Sequence, residues 1–320
     1  MKKIILALLG ILFLISLAGC GGSKTAENYP TKPLELIVSW SAGGGSDRFG
    51  RAIAEEVKNK KLLPQPILIN NKPGSNGIIG ATYTAGKKGD SYVLLVNVTG
   101  DIGAWIASSS SNISPANFTP IAMLAWDEYT LMVKSNAPMN NLQELIAYTK
   151  ANPRKGTFGG AGIGTVDHML TTELVNKTGA SIEYIPFEGG GEILSSILGG
   201  HVLATWANPA EAASQIKAGK LKAIAVAAPK RLAKMPDVQT VREQGYDVVF
   251  RQYRGIVGPA GMPKEHVKII ADAMKKVAES PEFINTYLER NSLSPDYKGP
   301  EEFAKIIADT EKIARQILKK

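Results

Sequence analysis

The sequence predicts an α/β protein of two lobes, joined by two hinge crossovers around a central ligand cleft. Short apolar runs alternate with helical patterns along most of the chain, as in parallel sheets covered by helices on both faces. Two long extended stretches, Pro120–Lys134 and Tyr246–Pro259, interrupt that rhythm. A chain of 320 residues is also too long for one small core and suits two.

Met1-Lys2-Lys3 is basic, and Ile4–Leu17 is almost wholly apolar, too short for a comfortable membrane span but right for a signal-peptide core. It ends in Leu17-Ala18-Gly19-Cys20, which resembles the bacterial lipobox, whose Cys is lipidated. Residues 1–19 are therefore expected to be a lipoprotein signal peptide and Cys20 the lipidation site. Residues 20–30 then form a flexible tether. Cys20 is the only Cys, so no intramolecular disulfide can form. The expected location is extracytoplasmic, lipid-anchored to the cell membrane.

Candidate strands follow at Leu34–Ser39, Ile67–Asn70, Tyr92–Val96, Thr157–Gly160, Ile182–Ile185, Val202–Trp206 and Leu221–Ala227. Helical patterns lie between them at Asp47–Lys60, Gly77–Gly86, Val166–Thr178, Glu192–Leu198 and Pro209–Ala218. After the second long stretch come three helical patterns, Lys264–Glu279, Pro281–Arg290 and Pro300–Lys319, with little sheet of their own. The simplest arrangement makes each long stretch a crossover. Lobe 1 is then 31–125 with 251–320, and lobe 2 is 126–250.

Hydrophobic content of 44% with 21% charged residues is ordinary for a soluble globular chain. The formal charge of +8 could favour acidic ligands or an anionic surface. It does not point to nucleic acid, because the basic clusters are scattered and lack interleaved aromatics.

Three turns share one design: strand, glycine-rich loop, helix. They are Gly43-Gly44-Gly45-Ser46-Asp47, the Gly160–Asp167 loop with Gly162, Gly164 and Thr165, and Gly189-Gly190-Gly191-Glu192. Pro73–Gly77 and Asn97–Asp101 are weaker examples. The first N–H groups of a helix lack intrahelical partners and sit at the positive end of its dipole. Glycine lets a ligand approach that backbone closely. Such a turn is a plausible anion cradle, with Ser46, Ser75, Thr99 and Thr165 as added hydroxyl donors. For any one loop, a mere turn with Ser46 or Asp47 as helix cap explains the pattern as well. Each helix terminus offers about 0.3–1 kcal/mol. Micromolar binding needs about 8 kcal/mol, so direct and water-mediated hydrogen bonds must supply the rest.

The stretch YPTKPLELIVSWSAGGGSD resembles the start of the Bug/TctC family, the substrate-binding proteins of tripartite tricarboxylate transporters. The likeness continues through INNKPGSNGIIGA, KANPRKGTFGGAGIGTVDHM, AGKLKAIAV, MPDVQTVREQGYD and GIVGPAGMPKEHV, in order. The resemblance implies a type II periplasmic-binding-protein fold that closes on a carboxylate and presents it to a membrane permease. It implies a first gripping loop at Ser41, Gly43, Gly44, Gly45, Ser46 and Asp47, and an opposing one at Gly162, Gly164, Thr165 and Asp167. Ser75, Asn76 and Thr99 should lie on the first rim, with Phe187, Gly189, Gly190 and Asn208 facing them. Two departures stand out: Ala42 where Pro is frequent, and Glu188 where Lys is frequent. If that position approaches the ligand, the acid disfavours a highly charged anion. Trp40, Trp126 and Trp206 fit either an aromatic wall or buried packing.

Other classes fit less well. The three His are dispersed, with no Cys/His cluster, so no metal or catalytic centre is expected. Asp167-His168 could do acid–base work, but a capping or ligand-orienting role suits it better. Ser214-x-x-Lys217 and Lys177-Thr178-Gly179 match penicillin-recognising motifs in the wrong order, and Gly162-x-Gly164-x-x-Asp167 lacks the third glycine of a dinucleotide loop. No repeats suggest a structural lipoprotein. The reading is a monomeric, cofactor-free receptor for a small organic carboxylate. The same scaffold binding an amino acid or amide is the alternative, and an extracytoplasmic enzyme a distant third.

Overall fold

The computed structural model describes residues 29–109, 111–187 and 189–319. The expected signal peptide, Cys20 and Glu188 lie outside the described residues.

The strands are β1 (Leu34–Val38), β2 (Ile67–Asn71), β3 (Val93–Val98), β4 (Phe118–Asp127), β5 (Thr130–Lys134), β6 (Thr157–Ala161), β7 (Glu183–Phe187), β8 (Ala204–Ala207), β9 (Leu221–Val226), β10 (Gln252–Pro259) and β11 (Leu293–Lys298). The helices are α1 (Gly45–Asn59), α2 (Ile78–Ala85), α3 (Thr99–Ala107), α4 (Leu142–Ala151), α5 (Val166–Thr178), α6 (Gly190–Gly199), α7 (Ala213–Lys217), α8 (Lys264–Ala278), α9 (Pro281–Phe283) and α10 (Pro300–Leu318). A π-turn, Ile284–Leu288, continues α9.

Two sheets result. One runs β11-β4-β10-β3-β1-β2 and the other β7-β6-β8-β5-β9. The chain crosses between them twice, from β4 to β5 and from β9 to β10, in the two long stretches that the sequence singles out. The fold is the two-lobed type II arrangement. The sheets are mixed rather than parallel. β1 pairs in parallel with β2 and β3, and β6 with β7 and β8. The crossover strands β10 and β5 run antiparallel to their neighbours, because each enters its sheet from the opposite lobe. β11 adds an antiparallel edge that the sequence reading did not foresee. It carries Pro295, and a strand with Pro is confined to an edge.

Each sheet buries its own core. Leu36, Val38, Phe49, Ile53 and Leu94 pack with Ile121, Ile270 and Met274 on the first. Leu131, Phe158, Leu170, Leu174 and Trp206 pack on the second. α10 joins both: Phe303 and Ile307 sit against Tyr253 and Trp105, while Ala314 and Ile317 enter the second core. The repeat of apolar positions one and two turns apart lets one helix do this.

Candidate functional site

Loop Ser41–Asp47 leaves β1 and enters α1. Gly43 has φ +80°, a left-handed conformation that favours glycine. Gly44 N–H donates to Ser41 O at 3.2 Å, which closes the turn. Asp47 turns back: its Oδ2 accepts Gly43 N–H at 2.8 Å and Arg51 Nε at 2.9 Å. Burial pushes its carboxyl up, but Arg51, Gly43 and Asn71 together bring it below the usual carboxylate range. Asp47 therefore organises the loop, while Ser46 is buried at the start of α1.

Beneath α1 lies a side chain the sequence reading missed. A Cβ on Gly45 would come within 2.8 Å of Arg254 Nη2, so the guanidinium is packed against the helix N-terminus. Arg254 on β10 forms a buried ion pair with Asp127 at the end of β4. Asp127 also accepts from Asn208 Nδ2 and, at 3.2 Å, from Gln252 Nε2. Burial alone would lower the Arg254 pKa, but Asp127 raises it overall and keeps the group charged. Its Nε is buried with no hydrogen-bond partner. A second pair, Arg251 with Glu128, spans the same two crossovers, and Arg251 lies 4.2 Å over the Trp126 ring.

The second loop follows β6. Thr165 Oγ1 lies against Ala161 O and Asp167 Oδ1, and Ala161 N–H donates to Asp167 Oδ2. Burial pushes the Asp167 carboxyl up to about 6. His168 Nδ1 accepts Gly164 N–H at 3.1 Å, a helix-start contact, and burial lowers its pKa. The third loop, Gly189–Gly191, is open: a Cβ on Gly189 would meet nothing within 4 Å.

The three loops reach one cleft. A narrow space of about 10 Å³ is lined by Gly45, Arg48, Arg254, Asn208, Ala210 and Glu211, among others. A cavity of about 130 Å³ is lined by Ala161, Asp167, Gly190, Glu211, Tyr129 and Trp206, with Met132, Ile193, Leu194 and Leu221 as apolar wall. Glu211 borders both. Crowding of the Glu211 carboxyl, with Asp127 and Asp167 nearby, pushes it up to about 7 against the pull of Arg254 and Arg48, although the residue as a whole is exposed.

Of the residues singled out in the sequence, Gly45, Asp167, Gly190, Trp206 and Asn208 line these spaces. Others hold the lobes together. Ser75 and Asn76 both have positive φ, 50° and 55°, and Asn76 Nδ2 donates across the cleft to Ile163 O at 2.6 Å. A Cβ on Gly162 would lie 2.2 Å from Asn76 Oδ1, and one on Gly164 (φ +87°) 2.3 Å from Gly103 O of α3. These glycines permit close approach of the two lobes. Thr99 is buried and accepts Tyr253 N–H at 2.8 Å. Phe187 packs on the small core around Met132 and Ile197 and borders a separate surface groove with His201 and Val202. The tryptophans do not form a wall. Trp40 Nε1 donates to Asp101 and Trp126 Nε1 to Asp296, both at 2.9 Å, and only Trp206, packed in the second core, also lines the cavity.

Arg254, Asp127, Glu211, Arg48 and Tyr129 were not singled out. A signal existed: Asp127-Glu128 and Arg251/Arg254 are charges set inside the two apolar crossover stretches. Buried charges of opposite sign on two adjacent strands must pair.

Two sheets joined by two crossovers, with loops of both lobes meeting at a cleft, define a two-lobed solute-binding protein. The chain belongs to the tripartite tricarboxylate transporter family receptors, whose family model matches residues 50–320. It is 31% identical over 307 residues to a UPF0065 protein from the gbd 5'region of Cupriavidus necator, covering 96% of this chain and 92% of that one. It is 27% identical to protein BugT of Bordetella pertussis over 95% of this chain and 93% of that one. Among solved structures, a TctC solute-binding protein from Polaromonas is 30% identical, with TM-score 0.74, over 91% of this chain and 99% of that one. MatC of Rhodopseudomonas palustris, solved with bound malate, is 25% identical, with TM-score 0.81, over 91% of this chain and all of that one (100%).

Proposed function

We propose that this protein is an extracytoplasmic receptor that captures a small organic carboxylate and hands it to the membrane permease of a tripartite transporter. We take Cys20 as its lipid anchor, 31–125 with 251–320 as one lobe, and 126–250 as the other. The observation that carries the reading is the cationic corner of the cleft. Gly45 at the N-terminus of α1, Arg48 and Arg254, whose Nε is buried without a hydrogen-bond partner, all line one narrow space between the lobes. A carboxylate there meets the buried guanidinium of Arg254, the exposed one of Arg48 and the N–H donors of the helix start. Malate in the related MatC supports the ligand class. Ser41, Gly43, Gly44, Ser46 and Asp47 shape the first loop; Gly162, Gly164, Thr165, Ser75 and Asn76 serve closure; Thr99, Phe187 and Gly189 act from behind or beside the cleft.

The test is calorimetric titration of the signal-less protein with a series of C2–C6 mono-, di- and tricarboxylates. At least one is expected to bind at micromolar affinity or tighter, with one site per chain. Failure of the whole series would overturn the reading.

A further inference from the structure

The edge of the first sheet that lies opposite the cleft is cationic. β1, β2 and β3 run in parallel and reach the cleft at their C-terminal ends, so their N-terminal ends form the far edge. β10 runs antiparallel to β3 and therefore ends at that edge, where Gly89 N–H donates to Ala260 O at 2.9 Å. Each of these four neighbouring strands meets a lysine there: Lys61 before β2, Lys32 before β1, Lys87 and Lys88 before β3, and Lys264 after β10. At about 4.8 Å between strands, the row is about 15 Å long. All five are exposed, and none is in an ion pair among the described residues. Lys60 beside them is taken up by Glu282 at 2.7 Å. The acids in the same loops are Asp90 and Glu265, so five cations stand against two anions. The field is confined to this half of the edge, because Glu301 and Glu302 of α10 lie by Thr119 and Pro120 at the start of β4.

A second observation points to an occupant. The chain enters the fold at this same edge. Tyr29, the first described residue, is only 8% exposed. Its hydroxyl donates to Ser91 O, and its ring stacks on His266 with centroids 3.9 Å apart and planes 8° from parallel. His266 Nδ1 lies 2.9 Å from Ser91 Oγ, and Tyr92 packs edge-on against Tyr29 at 5.2 Å. Tyr29 is thus fixed between the loop that carries Lys87 and Lys88 and the start of α8, which carries Lys264. Nine Cα steps separate Cys20 from Tyr29, a span of at most about 30 Å. With Cys20 as the lipid anchor proposed above, Tyr29 stays within that reach of the bilayer surface.

We infer that this lysine edge docks on a lipid surface rich in anionic headgroups, which leaves the cleft on the opposite side open to solute. Two observations select the occupant: the charge complements lipid phosphates, and a short chain ties this edge to the expected anchor. One lysine close to such a surface multiplies partitioning about fivefold, and the attraction fades beyond a Debye length of about 8–10 Å. Five lysines offset by two acids therefore give a weak, salt-sensitive and reversible contact. Tethering raises the local concentration of the edge at the surface and makes a weak contact effective. The tethering rests on the Cys20 reading; the lysine edge does not.

The experiment uses signal-less, unlipidated protein (Cys20→Ala), so that the edge is read without its anchor. Sucrose-loaded vesicles of phosphatidylcholine alone, or of equal parts phosphatidylglycerol and phosphatidylcholine, are sedimented with it at about 50 mM and about 0.5 M salt. The protein is expected to partition onto the anionic vesicles about tenfold or more above the neutral ones at low salt, and to lose that preference at high salt. Lys32→Gln, Lys61→Gln and Lys88→Gln together should remove about tenfold or more of the partitioning. Lys155→Gln, Lys217→Gln and Lys220→Gln, an equal loss of exposed charge around the second sheet, should leave it within about twofold. Both triple variants should keep the parent's melting temperature and carboxylate affinity, which separates a failure here from a failure of the receptor reading. No preference for anionic vesicles, or equal losses in the two triples, would overturn the inference. Binding confined to vesicles that hold the transporter's membrane subunits would assign the edge to protein and overturn it too. So would vesicle-free dimers that the first triple abolishes, which would assign it to a second copy of this chain.

Discussion

Replacing Arg254 with Met tests how the hinge and the binding corner share one residue. The Arg254 side chain is 7% exposed and its partner Asp127 1%, so the pair is dry. Arg254→Met leaves Asp127 buried with only the neutral donors Asn208 and Gln252. Removing one partner of a buried pair costs about 3–5 kcal/mol. For a chain of this size that corresponds to a fall in Tm on the order of 10 °C. Asp127→Asn in the same chain removes the stranded charge while keeping a hydrogen-bonding amide. The double variant should recover most of the lost stability. It should not recover carboxylate affinity, because the guanidinium above which Gly45 sits is still missing. Thermal melting and calorimetric titration of the parent, the single and the double variant separate the two effects. The reasoning fails if Arg254→Met melts within a degree or two of the parent, or if the double variant binds the cognate carboxylate at parental affinity.

Gly164→Ala should hinder closure, since its Cβ would lie 2.3 Å from Gly103 O and its φ is +87°. Small-angle scattering with saturating carboxylate is expected to show compaction in the parent and little in the variant; equal compaction would refute the role. Asp167 has a folded-state pKa raised from 3.8 to about 6 by burial, so its contribution to stability is full below the unfolded value and is lost as pH rises through about 6. Asp167→Asn should therefore gain about 2–3 kcal/mol relative to the parent between pH 4 and pH 7.5 in unliganded melts; a pH-independent difference would contradict the assignment. Cys20→Ala should release the protein from the membrane fraction, because anchoring by two or more acyl chains is lost; retention of a signal-cleaved, unlipidated variant would contradict the anchor.

The architecture was largely legible because period and punctuation carried it. The apolar runs marked β1, β2, β3, β6 and β9, and the two long extended stretches marked the crossovers. Helix α3 was hidden because Thr99–Ala107 contains two glycines and begins directly at the end of β3; buried Asp101 secures it by accepting Val98 N–H at 2.8 Å. α4 was hidden inside the stretch after β5, although Asn141 caps it through Glu144 N–H at 2.8 Å. β11 was missed since Leu293–Lys298 is half polar and gains its strand character from pairing with β4. The glycine loops were legible because backbone conformation leaves a residue-type signature. Glu211 and Arg254 were not, as their roles depend on which residues face each other across lobes distant in sequence. Gly44 has φ −72°, so it is free of left-handed strain, which falls on Gly43 instead.

The most direct measurement is a crystal structure of the protein with its tightest-binding carboxylate. The account predicts the ligand enclosed between the lobes. One carboxylate oxygen should lie within hydrogen-bond distance of Arg254 Nε, and the group should face the N-terminus of α1 at Gly45. A ligand bound on the outer surface, or within the cleft but with its carboxylate turned away from Arg254 and Gly45, would contradict it.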